Sequence, residues 1–85
     1  MSTLKLIRDL ALSESGFVFL PTTGETFTVN EQGRAVILAL QSNKSRSEII
    51  AALSEDYDAD APTIQRDIED FLAQLRQYQL LIEEA

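Results

Sequence analysis

Asp56, Asp58 and Asp60 stand at alternate positions in Asp56-Tyr57-Asp58-Ala59-Asp60, the spacing at which a calcium-binding loop presents its first oxygen ligands. The match stops there. The sixth position, where the sharp turn needs glycine, is Ala61; Pro62 follows, and the last ligand position holds Asp67 instead of a longer, bidentate Glu. A solvated acidic turn whose Asp60 caps the next helix accounts for the same residues, and no metal site is expected.

The serines offer little more. Ser45 and Ser47 could open a helix as the phosphopantetheine-bearing serine of an acyl or peptidyl carrier does, but they lie in Lys44-Ser45-Arg46-Ser47-Glu48 rather than in a carrier's Asp-Ser-Leu. The spacing of Ser45 and Glu48 is instead that of a capping box, in which each side chain satisfies the other's free backbone donor. Ser13, Ser15 and the carboxylates have no histidine, cysteine or glycine-rich phosphate loop to work with. The chain is therefore expected to be no enzyme and to carry no cofactor, disulfide or thiolate metal site.

Composition narrows the remaining classes. At 85 residues and 45% hydrophobic, the chain suits one small domain, with residues 1–8 as an N-terminal arm and 82–85 as a charged tail. A domain of this size buries only about 60–65% of the surface its unfolded form exposes, which leaves edges and grooves open. The formal charge is -7, and Lys5, Arg8, Arg34, Lys44, Arg46, Arg66 and Arg76 are scattered rather than striped. Such a balance argues against nucleic acid, whose binding needs clustered cations. No segment reaches the roughly 20 apolar residues of a membrane span, and charges interrupt the N-terminal segment before a signal core can form. The expectation is a soluble, cytoplasmic protein.

The elements follow from periodicity. Residues 1–8 suit either a turn of helix or an extended arm. Leu10-Ala11-Leu12 reads as a short strand, Ser13-Glu14-Ser15-Gly16 as a turn, and Phe17-Val18-Phe19-Leu20 as a central strand apolar on both faces and hence covered on both. Pro21-Thr22-Thr23-Gly24 is a hairpin loop, and the strand from Glu25 to Val29 returns antiparallel. Asn30 then caps a helix reaching about Gln41, whose run from Ala35 to Leu40 is too wide for one face. Gly33 in its first turn costs about 1 kcal/mol against alanine, which predicts a neighbour needing close approach. The capping box starts a second helix with Ile49, Ile50, Leu53 and Tyr57 at helical spacing. A third opens near Asp60 with Pro62 in its first turn and aligns Ile64, Ile68, Phe71, Leu72, Leu75 and Tyr78. Leu80-Leu81-Ile82 closes over the core. The result is an α+β, winged-helix-like plan: a three-stranded antiparallel sheet followed by three helices, βββααα.

A winged helix suggests DNA, but the third helix sets Asp67, Glu69 and Asp70 against Arg66 and Arg76, which leaves an acidic regulatory or DNA-associated domain as the alternative. The sheet edge suggests a peptide instead. The strand Glu25–Val29 lacks the Lys or Pro that often blunts an edge, so an extended peptide can add along Thr26, Phe27, Thr28 and Val29. The third helix would wall the groove, with Phe71 and Tyr78 at the border of its apolar stripe and Asp67 and Gln74 beyond. Either aromatic equally suits plain core filling.

This succession resembles the PqqD family of peptide chaperones, the RiPP recognition elements, over about residues 9–81. The likeness rests on Gly16-Phe17-Val18-Phe19-Leu20, Thr23-Gly24-Glu25, Val29-Asn30 with Gly33, and Ile37-Leu38. It continues through Ser47-Glu48-Ile49-Ile50 with Leu53, Tyr57-Asp58, Asp67-Ile68, Phe71-Leu72, and Leu75 before Leu80-Leu81. Two positions depart: Val29 replaces the family's usual Leu, and Gln79 its common Gly. The resemblance implies a peptide chaperone that binds the leader of a ribosomally made precursor peptide as an added strand, between the third strand and third helix. It would present that leader to a separate modifying enzyme, a radical SAM enzyme, a protease or a cyclase. The acidic surface suits a basic leader or partner.

Overall fold

A computed structural model describes residues 3–21, 23–56 and 60–84. The expected strands and helices occur in the expected order: β2 (Ala11–Leu12), β3 (Phe17–Leu20) and β4 (Glu25–Thr28), then α1 (Glu31–Gln41), α2 (Arg46–Asp56) and α3 (Ala61–Gln77). Two further strands, β1 (Thr3–Leu6) and β5 (Leu81–Glu84), pair antiparallel as a separate ribbon, with Thr3 opposite Glu84 and Leu6 opposite Leu81. Of the two readings of residues 1–8, the extended one holds for Thr3–Leu6, while residues 1–2 lie outside the described residues.

The main sheet runs β2-β3-β4, all antiparallel, with β3 in the centre. Only one face of β3 is covered, contrary to the sequence expectation. Val18 and Leu20 enter the core, whereas Phe17 and Phe19 remain 49% and 43% exposed. An antiparallel sheet made of hairpins needs no crossover helix on its second face, and that face can stay in water. Under Val18 and Leu20 the core is filled by Val36, Ile37 and Leu40 of α1, Ile49 and Leu53 of α2, and Ile64, Ile68, Leu72 and Leu75 of α3. Leu80 and Leu81 close it, while Ile82 points outward.

Local chemistry sets each helix end. The Asn30 side chain accepts from the Gly33 N–H at 2.8 Å, so the strand-to-helix corner is capped as its sequence predicts. At α2 the Ser45 N–H donates to Glu48 Oε1 at 2.9 Å and the Glu48 N–H to Ser45 Oγ at 3.2 Å, completing the capping box. Asp60 occupies the N-cap position of α3, but its carboxylate accepts from the Thr63 hydroxyl at 2.7 Å and makes no cap bond to the backbone. The Arg46–Glu69 ion pair, 2.7 Å long, ties α2 to α3.

The Glu48 cap is pH-sensitive. The Ser45 N–H, then the Ser45 hydroxyl, and to a lesser degree Lys44, hold the Glu48 carboxyl below the ordinary glutamate range. A carboxyl depressed on folding contributes stability that is fully present above its unfolded value and is lost as pH falls through its folded one. Unfolding curves for the native chain and Glu48→Gln should therefore differ at neutral pH and converge on acidification. A pH-independent gap would mean that the charge contributes nothing.

Both α1 and α3 end in a residue with left-handed backbone. Asn43 (φ 61°) and Gln79 (φ 63°) each follow a helix whose last carbonyls accept in the paired Schellman pattern, Lys44 N–H to Ala39 O with Asn43 N–H to Leu40 O, and Leu80 N–H to Leu75 O with Gln79 N–H to Arg76 O. Asparagine tolerates that conformation; glutamine does so at a cost. Gln79→Gly is expected to raise stability by about 0.5–1 kcal/mol, part of the relief being offset by the freer unfolded chain. Thermal unfolding checks it, and an unchanged or lower Tm would refute it.

Candidate functional site

The backbone of β4 decides what its edge can offer. The Val29 N–H donates to Gly16 O at 2.8 Å, and Thr28 lies opposite Phe17, Phe27 opposite Val18 and Thr26 opposite Phe19. Hydrogen-bonded pairs alternate along an antiparallel ladder. Phe27 therefore spends its N–H and C=O on β3, while Thr26 and Thr28 turn theirs away from it. The opposite flank agrees, since the Ser13 N–H reaches Phe17 O at 2.9 Å, on the β2 side of β3. Among the described residues no strand pairs with that outer edge of β4, so two donors and two acceptors are presented along it.

The side chains follow the opposite alternation. Thr26 and Thr28 share the exposed sheet face with Phe17 and Phe19, whereas Phe27 points to the helical side and is half-buried. There it stacks on Tyr78, with ring centroids 6.0 Å apart and planes 22° apart. Between β4 and α3 lies an open cavity of about 410 Å³, bounded by residues 25–30 on one wall and by Phe71, Gln74, Leu75 and Tyr78 on the other. Past Phe71 it adjoins a second cavity of about 340 Å³, bordered by Gln32, Gly33, Asp67 and Asp70, which shares Asn30, Phe71 and Gln74 with the first.

Every residue expected at the groove lies along this trough. Thr26, Phe27, Thr28, Val29, Phe71, Gln74 and Tyr78 border the main cavity; Asp67 borders the second. Tyr78 is 65% exposed and belongs to the wall, because α3 ends at Gln77 and its apolar stripe no longer carries the ring inward. Phe71 is partly buried against the core and also faces the trough. Leu20, Glu25, Asn30 and Leu75 line the main cavity in addition to the expected residues. Leu20 and Leu75 read as plain core from their spacing, while the position of Asn30 directly after the edge strand was the available signal for it.

The arrangement can hold an extended chain by its backbone and sort its side chains. The chain carries no histidine and no cysteine. Among the described residues no three carboxylates gather as a metal site, and Tyr57, Asp58 and Ala59 of the calcium-like segment lie outside the described residues. No described helix is long and apolar enough to cross a membrane.

The family model of coenzyme PQQ synthesis protein D (PqqD) matches residues 16–81. Among solved structures, TbiB1 in complex with the TbiA(beta) leader peptide is similar, with 29% identity, a TM-score of 0.80, and coverage of 91% of this chain and 93% of that one. Lasso peptide synthetase B1 complexed with the leader peptide shares the fold, with 17% identity, a TM-score of 0.79, and coverage of 94% and 98%. No curated protein sequence matches significantly.

Proposed function

Because the chain belongs to the PqqD family, we propose that its trough receives the leader of a ribosomally made precursor peptide as an added strand on β4. The observation that carries this reading is the outward row of Thr26 and Thr28 backbone groups beside the cavity walled by α3. Main-chain bonds to that row give affinity with little sequence selection, and the leader's inward-facing side chains give the selection as they enter the trough on either side of Phe71. TbiB1 and lasso peptide synthetase B1 were both solved with leader peptides, which supports the same ligand class here.

The role is that of a non-catalytic chaperone that presents the leader to a separate modifying enzyme, a radical SAM enzyme, a protease or a cyclase. The formal charge of -7, with Asp67 and Asp70 beside the trough, favours a basic leader or a basic partner surface. A DNA-associated regulator is not favoured, since α3 carries Asp67, Glu69 and Asp70 where a groove-reading helix needs cations.

The test is a titration of isotope-labelled protein with a panel of precursor leaders, the TbiA(beta) leader among them. Amide shifts confined to residues 26–29 and the Asp67–Tyr78 face are expected. Shifts elsewhere, or no binding by any leader while duplex DNA produces salt-sensitive shifts, would overturn the proposal.

A further inference from the structure

We propose that Gly33 is a specificity-determining position of this trough, acting through the ring of Phe71; the inference rests on the leader-binding reading above. The backbone does not require glycine here. The glycines with positive φ are Gly16 and Gly24, whereas Gly33 lies in the first turn of α1, where alanine is the better helix former. What the position lacks is room. A Cβ built on Gly33 falls 3.1 Å from Cε1 and 3.2 Å from Cζ of Phe71, closer than ordinary van der Waals contact.

The Phe71 ring thus rests directly on the backbone of α1, and that seat places it between the two cavities, whose walls it shares. On one side is the space beneath Phe27 and Tyr78; on the other, that beside Asp67 and Asp70. A methyl group at position 33 must push the ring off its seat by a few tenths of an ångström. The packed core resists movement inward, so the open trough takes it up. The partition then shifts, and the space for a leader side chain narrows. Gly33 is a positioning residue: its backbone borders the second cavity, and its part in selection is to set the ring of Phe71.

The same methyl would stand 3.2 Å from Asn30 Oδ1, the acceptor of the α1 cap, so damage to the cap has to be told apart from displacement of the ring. The experiment compares the native chain, Gly33→Ala, Phe71→Leu and the double variant, using the tightest-binding leader of the panel as probe. Gly33→Ala should shift the Phe71 ring-proton resonances of the free protein, leave Tm unchanged or raised, and weaken leader binding by about three- to tenfold. With leucine at position 71 the added methyl has space, and the loss caused by Gly33→Ala should shrink to within about twofold. Unmoved Phe71 resonances, or the same loss in the Phe71→Leu background, would overturn the proposal. If no leader binds the native chain, the leader reading fails by itself, while the ring resonances still decide whether Gly33 seats Phe71.

Discussion

Thr28→Pro should bind leader peptide about 10- to 100-fold more weakly than the native chain, while melting within a few degrees of it. The Thr28 N–H points out of the sheet, so its loss breaks no bond to β3. Proline is tolerated at such an edge position, and Phe27 before it already has the extended backbone that a following proline demands. An incoming strand loses one donor outright, and the pyrrolidine ring crowds the bonds on either side. Thr28→Val keeps the N–H and should bind nearly as well as the native chain, which separates the backbone from the hydroxyl. Calorimetric or fluorescence titration checks both, and an undiminished affinity for the proline variant would rule out strand addition along β4.

Gly16→Ala should cost about 2–4 kcal/mol of stability, the largest loss expected from a single methyl in this chain. Gly16 has φ +89°, where a side chain is strained, and its Cβ would lie 2.6 Å from the carbonyl oxygen of Val29. That oxygen belongs to the residue whose N–H donates to Gly16 O, so relieving the clash means opening the bond that fixes β4 against β3. A domain of this size has only about 4–13 kcal/mol to lose, and Tm should fall by roughly 10 °C or more. A small change in Tm would show that the turn can rebuild without the Gly16–Val29 pairing. At temperatures where the variant stays folded, leader binding should also weaken, because the edge row inherits its direction from this pairing.

Where local chemistry decides, the sequence was enough to find the structure. Asn30, the Ser45–Glu48 box and Gly24 each act within a few residues, and the boundaries they mark are the observed ones. The β1–β5 ribbon was not legible, because it pairs two four-residue segments from opposite ends: Thr3-Leu4-Lys5-Leu6 alternates over too short a stretch to name its partner, and Leu81-Ile82-Glu83-Glu84 does not alternate at all. Nor was the bare face of β3: Phe17, Val18, Phe19 and Leu20 are all apolar, so no binary pattern tells which pair faces water. The trough was legible as an unblunted edge beside an aromatic helix border. Its division by Phe71 was not, since the helical cost of Gly33 announces a close neighbour without saying which one.

The ribbon of β1 and β5 also fixes how the chain yields to force. Thr3 lies opposite Glu84 at its outer end and Leu6 opposite Leu81 at its inner end, so tension applied to both ends of the polypeptide loads the rungs one after another, as a zipper is loaded. Rungs opened in turn give way at lower tension than rungs sheared together. A pull applied between the two ends would therefore peel this ribbon before it loaded the β3–β4 hairpin, and would uncover Leu4 and Leu81 of the shared core as it did so.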